Sequence, residues 1–247
     1  MKKLLLLVAV ACLFAAPTLA QEIEKELRTF DKIVASPRIN VVLKQGDQES
    51  IRLVYSSVSR EKINIEVKNK TLRIYLEDAR INEPTKRISG DGYNERRSIY
   101  ADANVTAYVT YKEIKQLEIR GNQELYCEDA ITSKVFVLRA YGENEITLAA
   151  VKAEYFKASL YGENELTVKG GKAMDQKYRL FGENRIDTRA LKSYSTITSI
   201  YGESKLKVNT SDHLRVTAFG EPQITYDGDA SVSKGLVFGH ARITKSK

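Results

Sequence analysis

The chain has 247 residues, 43% hydrophobic and 29% charged, with a net charge of +7. That supplies a sizeable core for one elongated domain or two short ones. The basic residues are dispersed apart from Lys86-Arg87 and Arg96-Arg97, which argues against a nucleic-acid partner, and no stretch after the N-terminal one approaches the ~18 apolar residues of a membrane span.

The chain begins Met1-Lys2-Lys3 and runs from Leu4 to Ala16 almost without polarity, followed by Pro17-Thr18-Leu19-Ala20. A basic start, a short apolar run and small residues at Thr18 and Ala20 make residues 1–20 a secretory signal peptide, cut after Ala20. The mature protein is then exported, to the periplasm, the outer cell surface or the medium, with a net charge of +5 once Lys2 and Lys3 are gone. Lipidation of Cys12 is the lesser alternative, because Ala9-Val10-Ala11 before it is a poor lipobox. Cleavage leaves Cys127 alone, so no internal disulfide forms and packing must hold the fold.

Residues 21–120 alternate apolar and polar without a tidy period. Ile39-Asn40-Val41-Val42-Leu43, Ile51-Arg52-Leu53-Val54-Tyr55, Ile63, Ile65 and Val67, then Leu72, Ile74 and Leu76 read as strands, as do Val105 to Val109 and Leu117-Glu118-Ile119. They are expected to form irregular coils that cap one end of a stack, since an open sheet edge invites aggregation. Between them, 79–97 is polar, holds Pro84, Gly90 and Gly92, and reads as a long surface loop.

From 121 to 247 a phrase recurs. Tyr141-Gly142-Glu143-Asn144-Glu145 returns as Tyr161-Gly162-Glu163-Asn164-Glu165 and Phe181-Gly182-Glu183-Asn184-Arg185. It weakens to Tyr201-Gly202-Glu203-Ser204-Lys205, Phe219-Gly220-Glu221-Pro222-Gln223 and Phe238-Gly239-His240. Successive glycines lie 20, 20, 20, 18 and 19 residues apart, with Gly121-Asn122 as an atypical first member. A fixed period means one unit stacked on its copies. Aligned on glycine, apolar residues stand two before it (Leu160, Leu180, Ile200) and four after it (Ile146, Leu166, Ile186, Leu206). That is strand parity with one buried face, and a unit this short has no room for a crossover helix. The expected fold is all-β: a single-stranded, right-handed parallel β-helix with coils of about 20 residues stacked ~4.8 Å apart.

Asn144, Asn164 and Asn184 share the inward parity and are expected to hydrogen-bond up the stack at a coil corner. The residues before each glycine, Tyr141, Tyr161, Phe181, Tyr201, Phe219 and Phe238, have outward parity and form a stripe roughly 24 Å long. Such a ladder stabilises the coils; as an exposed apolar strip it is also the candidate binding surface, for glycan or for a cell-surface or envelope protein. Glu143, Glu163, Glu183 and Glu203 form a carboxylate column, either solvated or a weak Ca²⁺ site. One position series, Glu145, Glu165, Arg185 and Lys205, predicts an ion pair between Glu165 and Arg185 on neighbouring coils.

Phe30-Asp31-Lys32-Ile33-Val34, Ile39 to Gly46, Thr71-Leu72-Arg73-Ile74, and Val105 to Gly121 with Val109-Thr110-Tyr111 and Leu117-Glu118-Ile119-Arg120-Gly121 resemble the family described as putative auto-transporter adhesin, head GIN domain. The resemblance covers essentially the mature chain. It implies a secreted β-helical protein with an adhesin-like role and supplies no catalytic residue. One departure is that Gly-Glu-Asn stands where the family repeats small residues.

Parallel β-helices also carry polysaccharide lyases and hydrolases, which is the alternative function. A glycosidase needs two carboxylates flanking one bond, whereas the Glu column is set by the repeat and not by a unique site. His213 and His240 occupy different repeat positions, and no metal-ligand spacing, nucleophile elbow, phosphate loop or cofactor motif is present in the sequence. The expectation is a non-enzymatic binding or envelope-structural module without a cofactor.

Overall fold

A computed structural model of the chain describes residues 20–90 and 93–246. The signal-peptide reading and Cys12 lie outside the described residues. Stacked parallel coils form a β-solenoid of about 6 turns.

The N-terminal part has ten strands. They are β1 (Gln21–Glu26), β2 (Lys32–Ala35), β3 (Ile39–Gln45), β4 (Ser50–Ser56), β5 (Ile63–Lys68), β6 (Thr71–Leu76), β7 (Thr85–Gly90), β8 (Tyr93–Ser98), β9 (Asn104–Tyr111) and β10 (Gln116–Gly121). The regular part continues with β11 (Glu124–Gly142), β12 (Glu145–Gly162), β13 (Glu165–Val168), β14 (Gly171–Gly182) and β15 (Arg185–Tyr201). It ends with β16 (Lys205–Gly220), β17 (Gln223–Asp227), β18 (Ser231–Gly239) and β19 (Arg242–Lys245).

Each coil has a leading segment just after the glycine and a trailing segment that runs into the next glycine. Trailing segments pair in parallel with glycine on glycine: Gly121 on Gly142, Gly142 on Gly162, Gly162 on Gly182. Leading segments pair likewise, with Ile146 on Leu166, Ile186 and Leu206. The inward columns are buried as the alternation requires: Leu160, Leu180 and Ile200 are fully enclosed, and so are Ile146 and Leu166.

The glycine column exists because the corner is tight. Gly202 has φ +123°, and a Cβ there would lie 2.6 Å from the carbonyl oxygen of Gly182 one coil away. Only glycine fits both the dihedral and the approach.

The N-terminal cap stacks out of sequence order. β6 and β9 make the outer coil, β2 and β3 the next, β10 and the start of β11 the one after, all in parallel. Two strands then reverse direction, β4 against β9 and β5 against β6, and β1 pairs antiparallel with β4 on its far side. The reversal closes this end, and β1 carries exposed Glu22, Glu24 and Glu26 at its outer edge, a charged edge that discourages further pairing. At the opposite end Lys234 takes the register position of buried Val216, so a charge again stands where the core column would continue.

Residues 79–97 are not a loop throughout. β7 and β8 pair antiparallel, Thr85 opposite Ser98 and Arg87 opposite Arg96, as a two-stranded sheet of their own. The ribbon is tied at its base: Arg38 Nε donates to Glu83 Oε2 at 2.7 Å, and Glu83 Oε1 accepts from the Tyr100 backbone N–H at 2.8 Å.

Candidate functional site

The residue before each glycine points away from the core, and the repeat register places these side chains one above another. Ring centroids are 4.9 Å apart for Tyr141–Tyr161, 4.8 Å for Tyr161–Phe181, 4.7 Å for Phe181–Tyr201 and 5.1 Å for Tyr201–Phe219, with planes within 6° of parallel. Phe219–Phe238 continues the row at 5.1 Å but tilts by 27°. The sequence-derived set, Tyr141, Tyr161, Phe181, Tyr201 and Phe219, is thus brought together in one row.

The row does not present flat faces. Each inner ring covers the faces of its neighbours, so only ring edges and hydroxyls meet solvent. Tyr201 is 40% exposed, Phe238 at the end 57%. Among the described residues no hydrogen bond engages the hydroxyls of Tyr141, Tyr161 or Tyr201. At the other end the Arg120 guanidinium sits 4.5 Å from the Tyr141 centroid and closes that face as well. Arg120 precedes Gly121, so it holds the aromatic position in the atypical first repeat. Its Nη2 lies 2.6 Å from Glu118 Oε1, and Arg139 Nη1 lies 3.8 Å from Glu118 Oε2. Burial, then the charge of Glu118, pushes the Tyr141 phenol up, with Arg120 and Arg139 opposing.

Where the row meets the cap there is a cleft of about 380 Å³, lined by Arg38, Glu83, Arg120, Asn122, Tyr141 and Glu143 among others. Sequence reasoning missed it, because it joins segments far apart in the chain.

Across the glycine corner stand the acidic residues. Glu143, Glu163, Glu183 and Glu203 are all exposed, and the first accepts from Asn122 Nδ2 at 3.2 Å. Among the described residues no group of three or more His, Cys, Asp or Glu side chains is placed to hold a metal ion. The column edges two shallow depressions of about 240 and 210 Å³, where Arg185 and Lys205 stand beside the later glutamates. Glu165 and Arg185 are register partners, yet no ion pair within 4.0 Å joins them. Both side chains are exposed, and solvation competes with a bond worth little there.

Behind the corner the asparagines form a buried ladder. Asn144 Nδ2 donates to Asn164 Oδ1 at 2.8 Å, and Asn164 Nδ2 to Asn184 Oδ1 at 3.1 Å. The Asn184 backbone N–H donates to Ser204 Oγ at 3.2 Å. Each asparagine also donates to the carbonyl three residues back, that of Tyr141, Tyr161 or Phe181. All three are at most 2% exposed, so the ladder braces the corner that carries the rings.

The histidines do not meet. His213 lies between the hydroxyls of Ser231 and Ser233, and His240 is exposed on the last coil. Cys127 is buried, with its sulfur 3.5 Å from the Tyr111 hydroxyl.

The model of the family described as putative auto-transporter adhesin, head GIN domain, matches residues 29–230. The chain belongs to that family. Solved structures with the same fold include a putative adhesin from Bacteroides fragilis, with 14% identity, TM-score 0.72, and coverage of 92% of this chain and 97% of that one. Another is a putative adhesin from Parabacteroides merdae, with 14% identity, TM-score 0.67, and coverage of 92% and 96%. A third, from Parabacteroides distasonis, is titled a putative lipid binding protein, with 15% identity, TM-score 0.66, and coverage of 92% and 97%. No curated protein matches the chain. No helix among the described residues is long and apolar enough to cross a membrane.

Proposed function

We propose that this head GIN domain protein is an exported, non-catalytic, adhesin-like module of the cell envelope. It contacts a glycan, or a cell-surface or envelope protein, along the face made by the trailing segments. The observation that carries this reading is the unbroken row of ring edges, repeated once per coil, with free hydroxyls at Tyr141, Tyr161 and Tyr201. A lengthwise, repetitive surface suits a linear polymer better than a small molecule. Family membership supports the adhesin-like role.

The test is a glycan-array screen with the mature protein, repeated with the Tyr141→Phe, Tyr161→Phe, Tyr201→Phe triple variant. Phenylalanine already occupies this column at Phe181 and Phe219, so the stack survives while three hydroxyls disappear. Weaker binding with an unchanged melting temperature supports the reading. Unchanged binding of a confirmed ligand moves the contact to another face.

A further inference from the structure

Folding sorts the dispersed basic residues. Two outward columns run beside the rings on the trailing segments. The nearer one reads Arg73, Val34, Glu118, Arg139, Ser159, Arg179, Ser199 and Thr217 in register. The farther one includes Lys157, Lys177, Ile197 and Arg215. Glu118 is the one carboxylate in these two columns, and it is already shared by Arg120 and Arg139. Lys157, Lys177, Arg179 and Arg215 have no carboxylate within 4.0 Å among the described residues. Lys157 and Lys177 are direct register partners, and like charges stacked at strand spacing repel by about 0.9 kcal/mol even in water. From Ser159 onward the charges in these two columns are all positive, and they stand beside the free hydroxyls of Tyr161 and Tyr201.

The spacing adds a second constraint. In the nearer column Arg139 and Arg179 stand two coils apart, with Ser159 and Ser199 between and beyond them. From Arg139 to Ser199 charge and hydroxyl alternate at one strand spacing, ~4.8 Å, and Thr217 follows as a second hydroxyl. A sugar in an extended chain advances by close to that spacing. Over these four coils one sugar per coil puts a guanidinium opposite every second sugar and a serine opposite the others.

We infer that the trailing face takes an acidic polysaccharide with one carboxylate or sulfate per disaccharide, laid along the solenoid axis. Arg139 and Arg179 pair with its anions, Ser159, Ser199 and Thr217 bond its hydroxyls, and the tyrosine hydroxyls line one flank. Guanidinium suits a carboxylate or sulfate because its fork offers parallel donors. The inference rests on the trailing face being the binding face.

The probe is a set of hyaluronate oligosaccharides, which carry one carboxylate per disaccharide. Neutral cello-oligosaccharides and poly-glutamate serve as comparisons, each titrated calorimetrically against the mature protein. Hyaluronate should bind at low salt and more weakly at physiological salt, because exposed charges are screened. Arg139→Gln with Arg179→Gln should weaken it at least about tenfold, the loss of two charge-assisted bonds, with melting temperature unchanged. Lys152→Gln with Lys172→Gln removes as much charge from a different column and should change binding less than about twofold. Equal loss in both double variants, poly-glutamate bound as tightly, or no hyaluronate binding overturns the inference. Neutral oligosaccharide bound as tightly, and lost in the triple Tyr→Phe variant, overturns the anionic specificity while leaving the trailing face as the binding surface.

Discussion

Tyr141 lies face to face with Tyr161, the ring centroids 4.9 Å apart and the planes 6° from parallel. Neither face between them is open to a ligand, so the pair contributes to stability through its faces and to recognition only through its edges. Each inner ring has two such neighbours. Replacing Tyr161 with Ser should cost about 1–3 kcal/mol from two lost stacks, read as a lower urea midpoint. Tyr161→Phe should stay near wild type. Equal midpoints for the Ser and Phe variants would mean that the stack contributes nothing.

Gly202→Ala should cost about 1–3 kcal/mol from the strained dihedral alone, and more from the 2.6 Å approach to the Gly182 oxygen. Gly170→Ala is the control. Its backbone lies outside the left-handed region, and an added Cβ meets nothing closer than 3.6 Å. That variant should lie within about 0.5 kcal/mol of wild type. Similar melting temperatures for the two alanine variants would remove the steric account of the glycine column.

The regular coils were legible because a parallel stack repeats each inward position in sequence: Leu160, Leu180 and Ile200 mark one column through their spacing alone. The same arithmetic placed Asn144 on Asn164 and Tyr161 on Phe181. Coil spacing set the distance between the rings at ~4.8 Å but not their tilt, and it is the parallel planes that hide the faces.

The cap was less legible, and the reason is topological. β2 pairs with both β6 and β10, partners separated along the chain by unequal lengths, and no period records that. The β7–β8 ribbon escaped because strands are recognised by one buried face. Lys86, Arg87, Glu95, Arg96 and Arg97 are all exposed, so neither face of the ribbon alternates. The cleft by Arg38 and Tyr141 follows from these same long-range pairings. The Glu165–Arg185 neighbours were correctly paired in register but do not close, because register fixes the backbone and leaves two long, solvated side chains free.

Alkaline pH should weaken the fold. Burial is the largest cause pushing up Cys127 from 9.0 and both Tyr111 and Tyr178 from 10.0. The unfolded chain releases these protons at the ordinary values while the folded chain holds them. Stability is therefore complete below pH 9.0 and is lost progressively as pH climbs toward the folded values. Urea midpoints measured across that range should be flat and then fall, and the native thiol should resist a thiol reagent until the protein unfolds. A midpoint that holds well above pH 10.0 would contradict the burial of these groups.

The asparagine ladder is one rung short. Asn164 Oδ1 accepts from both the backbone N–H and the Nδ2 of Asn144, at 3.3 and 2.8 Å. Asn144 Oδ1 is buried and has no such donor, because the preceding position holds Gln123. The longer side chain turns away, donating to the carbonyl oxygens of Ser36 and Arg120, and its own Oε1 is also unpartnered. Gln123→Asn should extend the ladder and satisfy Asn144 Oδ1, leaving one buried unpartnered oxygen, that of the new first rung, where there are now two. The expected gain is about 1 kcal/mol, reduced by the lost contact to Ser36. Asn164→Ala should act in the opposite direction by about 1–3 kcal/mol, since it strips the acceptor from Asn144 and one of the two donors from Asn184 Oδ1. Thermal melts of both variants decide it. If Gln123→Asn lowers the melting temperature, the tie from Gln123 to Ser36 outweighs the missing rung, and the glutamine serves to fasten the first regular coil to the cap.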